Sequence, residues 1–164
     1  MTRLARARHS FGGSNFHMQY TPKYRRPVFR NQKVRDVCKR VLLEKAKAMD
    51  IVVGAIEFAP DHVHLFLVNC KNHSASYMTS QLKGYSAYMV RKECWQQIKN
   101  YLWGKHFWSG GYFFESVGRV TGDMVKFYID RQQKKHWQGE DYEYYNVHTK
   151  DMPKDQTTLS DFAM

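Results

Sequence analysis

The chain has 164 residues, 43% of them hydrophobic and 15% aromatic, and 26 Lys and Arg against 15 Asp and Glu give it a formal net charge of +11. That length suits one packed domain rather than two, and the apolar content belongs to a globular chain rather than a disordered one. No run of about 18 apolar residues is present, which excludes a spanning helix, and Cys38, Cys70 and Cys94, widely spaced and outside any C-x-x-C arrangement, exclude a disulfide framework or zinc ribbon and read as reduced thiols.

The charge is unevenly spread. Residues 139–164 hold six acids (Glu140, Asp141, Glu143, Asp151, Asp155 and Asp161) against Lys150 and Lys154, so residues 1–138 carry 24 basic and 9 acidic side chains. An excess of that size is the electrostatic footprint of a nucleic-acid binder. The start, MTRLARARHS, is basic but leads into FGGSNFH and not into the apolar core of a signal peptide, so the chain is expected in the cytoplasm with no membrane partner.

In chain order, residues 1–13 read as a mobile basic arm ending at Gly12-Gly13. Alternation through Phe16, Met18 and Tyr20 predicts a strand over about 14–21, ended by Pro22. The loop KYRRP follows, rich in cationic and aromatic side chains, with Tyr24, Arg25 and Arg26 suited to phosphate contact or base stacking. From Gln32 to Asp50, Val34, Val37, Cys38, Val41, Leu42, Ala48 and Met49 recur at helical spacing with Lys and Arg on the other faces. IVVGAIEF (51–58), the turn APD and HVHLFLV predict an antiparallel hairpin.

A second helix is expected from about Ser74 to Asn100, with Tyr77, Leu82, Tyr85, Met89 and Ile98 as its apolar side and Lys83 and Arg91 among its cations. Its Gly84 either weakens the middle by about 1 kcal/mol relative to Ala or admits another backbone at close range. An aromatic loop with Trp103, Phe107 and Trp108 leads to a strand near 112–117. Thr121 as N-cap and Asp123 in the first turn then open a last helix over about 122–136. The order β-α-β-β-α-β-α predicts an α/β (α+β) sandwich, with helices packed on a mainly antiparallel sheet of about four strands, ferredoxin- or RRM-like. One domain covers 14–138, with a polar acidic tail over 139–164.

Chemistry concentrates at two places. In APDHVHLFLV, His62 and His64 share one face of a strand with Phe66 and Val68, while Val63, Leu65 and Leu67 share the other. Same-face Cα atoms lie about 6.6–7 Å apart, so the two imidazoles can lean together onto one metal ion, or else be core histidines satisfied by hydrogen bonds. In the last helix Tyr128 and Gln132 are four residues apart and lie on one face, a phenol able to act as nucleophile beside an amide oxygen able to act as ligand. Gln133 and His136 are alternative ligands within the register error of that helix.

PDHVHLF after a strand, KYRRPVF near the N-terminus, QLKGYSAY in the middle helix, LWGKHFWSGGYF in the loop and YIDRQ in the last helix together resemble the small single-tyrosine HUH transposases. These are the enzymes of minimal bacterial and archaeal insertion sequences, which move DNA as single strands. The resemblance covers about residues 14–136. It implies His62, His64 and Gln132 as ligands of a divalent cation, Mg2+ or Mn2+, and Tyr128 as the nucleophile that forms a 5′-phosphotyrosine intermediate. It also implies a homodimer acting on single-stranded DNA with hairpin ends. Tyr24, Arg25, Arg26, Lys83 and Arg91 are the candidate DNA contacts. Two other readings share these residues: a domesticated relative that nicks or binds hairpin DNA, and a non-catalytic single-stranded nucleic-acid-binding module whose H-x-H is structural or binds zinc.

Overall fold

A computed structural model of the chain describes residues 5–7, 10–102 and 104–117. Trp103, the expected helix over 122–136 and the 139–164 tail lie outside the described residues. The expected alternation yields β3 (Asn15–Tyr20), β4 (Val52–Ala59), β5 (His62–Val68) and β6 (Phe113–Val117), and the expected helical periods yield α1 (Gln32–Ala48) and α2 (Ala75–Ile98). All neighbouring strands are antiparallel and their order is β4-β5-β3-β6. With β-α-β-β-α-β connectivity this is the ferredoxin-like arrangement, and β5, which carries the histidines, is an inner strand. Within the basic arm, β1 (Ala5–Ala7) and β2 (Ser10–Gly12) pair as a short antiparallel ribbon that no apolar alternation announced.

Both described helices begin on a side-chain cap. The Asn31 side chain accepts from the Val34 amide at 3.2 Å and Ser74 Oγ from the Tyr77 amide at 3.2 Å, each meeting one of the donors that a helix start leaves open. The helices cover one face of the sheet. Val34, Cys38, Val41 and Leu42 of α1 join Met78, Leu82, Val90, Cys94 and Ile98 of α2 in one core with Met18, Tyr20, Val63, Leu65 and Leu67. Of the expected apolar side of α2, Leu82 and Ile98 are buried and Tyr85 and Met89 pack against the core, but the fully buried stripe differs in part. It runs Met78, Leu82, Ser86, Val90, Cys94, Ile98 at four-residue spacing, whereas Tyr77 is 50% exposed. Tyr85 lies beside α1, where its hydroxyl donates to Glu44 Oε2 at 3.4 Å. Around Gly84, a Cβ would meet nothing within 4 Å among the described residues, so close approach by another backbone is not the reason for that glycine.

The aromatic loop is part of this core. Phe107 and Trp108 are buried, and Trp108 Nε1 donates to Ser86 Oγ at 2.9 Å, which in turn donates to the Leu82 carbonyl at 2.7 Å. Cys38, Cys70 and Cys94 are free and buried, as reduced core thiols should be. No helix among the described residues is long and apolar enough to cross a membrane.

Candidate metal and DNA site

Strand alternation sends Met18 and Tyr20 of β3 toward the helices and His17 and Gln19 to the opposite face. The register pairs Gln19 with His64 and His17 with Phe66 along one edge of β5, and Glu57 with His64 and Ala59 with His62 along its other edge. His17, Gln19, Glu57, His62 and His64 thus share the face opposite the helical core. Neither described helix contributes to the small apolar group on that face, formed by Phe66, Ala55, Val68 and Val117.

The three histidines are buried yet connected. His62 Nδ1 lies 2.7 Å from Asp61 Oδ1, His62 Nε2 lies 3.1 Å from His64 Nε2, and His64 Nδ1 lies 3.0 Å from His17 Nε2. The Nε2 atoms of His62 and His64 face each other, with the ring planes at 84°. Asp61 extends the chain outward, its Oδ2 accepting from Arg25 Nε at 3.0 Å. Burial alone would raise the Asp61 carboxyl, but the bonds to His62 and then Arg25 outweigh it and hold the group below the usual carboxylate range. Burial pushes His17 down to about 4, which keeps it neutral near pH 7.

The donor set fits a divalent cation. Two imidazole nitrogens converge, and one ring leans on a carboxylate through its far nitrogen, the usual support of a metal-bound histidine. Among the described residues no group of three His, Cys, Asp or Glu side chains is arranged to hold a metal, so a third ligand of that kind would come from outside them. Gln132, the expected third ligand, and Tyr128 lie outside the described residues, as do Gln133 and His136.

The candidate DNA contacts divide into two locations. Tyr24 and Arg25 both have positive φ, 59° and 50°, an uncommon conformation for non-glycine residues. The loop is held in it from both sides. Lys23 N donates to the Phe107 carbonyl at 2.8 Å, Phe29 N to the Pro60 carbonyl at 3.1 Å, and Arg25 to Asp61. Tyr24 remains 64% exposed, and the Arg25 side chain 67% exposed, beside the turn that leads into His62. Arg26 adjoins them. Lys83 and Arg91 belong to α2, on the far layer. Lys83 Nζ donates to the Ser109 and Gly111 carbonyls at 2.7 and 2.9 Å, pinning the aromatic loop, and burial lowers its pKa. Arg91 lies over the Trp95 ring, 5.1 Å from its centroid.

Two members of the network escaped sequence reading. His17 looks like a polar position in an alternating strand, and Asp61 like a turn residue. The available signal was the alternation itself, which sets His17 against Phe16 and Met18, but only the β3–β5 register brings it to His64.

Comparison with known proteins bears on the family and the fold. The family described as "Transposase IS200 like" matches residues 10–132. The chain is 31% identical over 120 residues to the ISDra2 transposase TnpA of Deinococcus radiodurans, covering 73% of this chain and 84% of that protein. It is 28% identical over 132 residues to the transposase for insertion sequence element IS200 of Salmonella typhimurium, covering 80% and 85%. The fold resembles the crystal structure of a candidate transposase from Deinococcus radiodurans R1, with a TM-score of 0.64 and 27% identity over 79% of this chain and 98% of that one. It also resembles, at a TM-score of 0.51 and 13% identity over 94% and 92%, a REP-associated tyrosine transposase bound to a REP hairpin. On the family match and these relatives, the chain belongs to the IS200-like transposase family.

Proposed function

We propose that this transposase cleaves and rejoins single-stranded DNA at insertion-sequence ends through a 5′-phosphotyrosine intermediate. Tyr128 is the nucleophile, and His62, His64 and Gln132 are the ligands of Mg2+ or Mn2+. The observation that carries the reading is the convergence of two anchored imidazole Nε2 atoms at 3.1 Å on a buried strand face. The family match runs to residue 132, so Tyr128 and Gln132 both fall inside it.

In the first step the Tyr128 oxygen forms a bond to the scissile phosphorus as the bond to the 3′ oxygen breaks, leaving a 3′-OH on one strand and the 5′ phosphate on the enzyme. Rejoining reverses this with the 3′-OH of another strand, and because the phosphodiester energy is kept in the phosphotyrosine, no nucleotide cofactor is consumed. A divalent cation bound at this site supplies Lewis-acid polarisation of the phosphate. Mg2+ prefers oxygen donors, so two imidazoles favour Mn2+ at least equally by ligand type.

Exposed Tyr24, Arg25 and Arg26 present cations and an aromatic ring beside the histidines, where they hold the phosphate backbone of a single strand or hairpin. Lys83 and Arg91 lie on the other layer and reach DNA only by way of a second binding surface. The structural neighbour bound to a REP hairpin supports hairpin-ended DNA as the substrate, and the homodimer is what the family resemblance implies.

The test is a denaturing gel with end-labelled single strands taken from the DNA flanking the gene, with Mg2+ or Mn2+, comparing wild type with Tyr128→Phe. A label transferred covalently to wild type alone, and abolished by chelator, supports the reading. Binding without adduct or cleavage under either metal would sink it and favour the non-catalytic binding module.

A further inference from the structure

We infer that His17 is a positioning residue for the cation site: it fixes the ring nitrogen by which His64 meets the ion. The inference rests on the reading of His62 and His64 as cation ligands and adds a residue from a different strand to their support.

The argument starts from the two ends of each imidazole. His62 Nδ1 sits on the Asp61 carboxylate, which only accepts, so that nitrogen carries the proton and Nε2 turns its lone pair inward. For His64 to turn a matching lone pair toward His62, its own Nδ1 must carry the proton and must find an acceptor. His17 Nε2 is that acceptor, at 3.0 Å. The His17 and His64 rings are 22° from coplanar with centroids 5.2 Å apart, a separation that fits rings set edge to edge along the bond and not stacked face on face. His17 therefore does for His64 what Asp61 does for His62.

His17 is not a ligand itself. It engages the side of the His64 ring that faces away from His62, and no three described His, Cys, Asp or Glu side chains are arranged around a common ion. A neutral partner also suits the site. Two lone pairs aimed at each other across 3.1 Å repel unless a cation lies between them. An imidazole acceptor prepares that arrangement without adding a second carboxylate to compete for the ion.

The experiment is a Mn2+ titration of the full chain by calorimetry, on wild type, His17→Leu, His17→Gln and His64→Ala, with circular dichroism as the check on folding. His17→Leu is expected to weaken Mn2+ binding about 10- to 100-fold, the usual cost of losing an outer hydrogen bond to a metal-bound histidine. His17→Gln, whose amide oxygen still accepts, should stay within a few-fold of wild type. A long-range proton–nitrogen NMR correlation on wild type with Mg2+ reads the His64 tautomer directly and should place its proton on Nδ1. The inference is overturned if folded His17→Leu binds Mn2+ as wild type does while His64→Ala does not, or if His64 carries its proton on Nε2 with the cation present. The NMR result decides the matter if His17→Leu fails to fold. A wild type that binds no Mn2+, with His64→Ala unchanged from it, overturns this inference and the ligand reading together.

Discussion

The two faces of β5 are built from alternate residues of one seven-residue strand and obey different rules. Val63, Leu65 and Leu67 point into a core shared with α1 and α2, where what counts is apolar area and volume. His62 and His64 point the other way, equally buried, and what counts there is that each ring nitrogen has a partner. One face supplies stability and the other spends some of it on a polar chain running from Arg25 through Asp61, His62 and His64 to His17. The lesson is that burial by itself does not separate core from site. The partner list does.

The largest effect should come from crossing the two faces at adjacent positions. Leu65→Ala removes a fully buried side chain and is expected to cost about 2–5 kcal/mol in a urea melt, with Mn2+ affinity preserved in the molecules that remain folded. His64→Ala should do the reverse, cutting Mn2+ affinity and DNA cleavage by more than about 100-fold, beyond the cost of losing an outer partner, with a smaller change in the melt. If both variants lose stability and metal binding in parallel, the two faces are not separable.

A second contrast is in pH. The core shared with the helices is largely apolar, whereas His17 on the opposite face has its pKa lowered from 6.5 to about 4 by burial. The unfolded chain takes up that proton as pH drops through 6.5, and the folded chain resists until about 4, so the unfolded state binds more protons in between. Stability is therefore full above about pH 6.5 and falls on acidification toward 4, by on the order of 3 kcal/mol for a shift of this size. Asp61 contributes with the same sign at lower pH: its carboxyl is depressed, so its contribution is present above the ordinary 3.8 and disappears as pH falls through the folded value. Urea melts in chelator should show the first slope in wild type and a flatter one in His17→Gln. Equal slopes would assign the acid sensitivity to other groups.

Gly54 tests how tightly the histidine face is packed. It sits at the irregularity in the β4–β5 ladder between Val53 and Ala55, and a Cβ there would lie 2.9 Å from Phe66 Cδ1 and 3.3 Å from Val68 Cγ2. Phe66 is buried beside His64 on that face, so Gly54→Val must displace it. A loss of about 1–3 kcal/mol is expected, measured by thermal or urea unfolding. An unchanged melt would show that the face has slack.

What could be read in the sequence follows from the range of the interactions. Periods of two and of 3.6 residues are local, so β3, α1, the β4–β5 hairpin, α2 and β6 were all recognisable, as was the H-x-H pair. The partners of that pair were not. His17 reaches His64 across 47 positions of chain, and Asp61 joins His62 to Arg25, 36 positions back, through a turn that looked like a connector only. For the same reason the stripe of α2 is only partly legible: Tyr77 scores as apolar in a pattern but is exposed, whereas Ser86 scores as polar but is buried because Trp108 Nε1 donates to it. Tyr128 and Gln132 owe their role to the resemblance and not to any local period, since a tyrosine four residues before a glutamine recurs in many ordinary helices.

Gly84 offers the smallest effect and the opposite sign. It lies in the interior of α2, on the helical layer, and a Cβ added there meets nothing within 4 Å among the described residues. Neither crowding nor a positive φ therefore accounts for a glycine at this position. In a helix interior glycine costs about 0.8–1.0 kcal/mol relative to alanine, chiefly through backbone entropy lost on folding. Gly84→Ala should raise unfolding stability by up to about 1 kcal/mol and leave Mn2+ affinity unchanged, because α2 packs on the face away from the histidines. If the substitution stabilises the chain but lowers DNA binding, then the surface around Gly84, next to Lys83, meets DNA or a second subunit. That result would restore to Lys83 and Arg91 the DNA-binding role that their place on the far layer otherwise weakens.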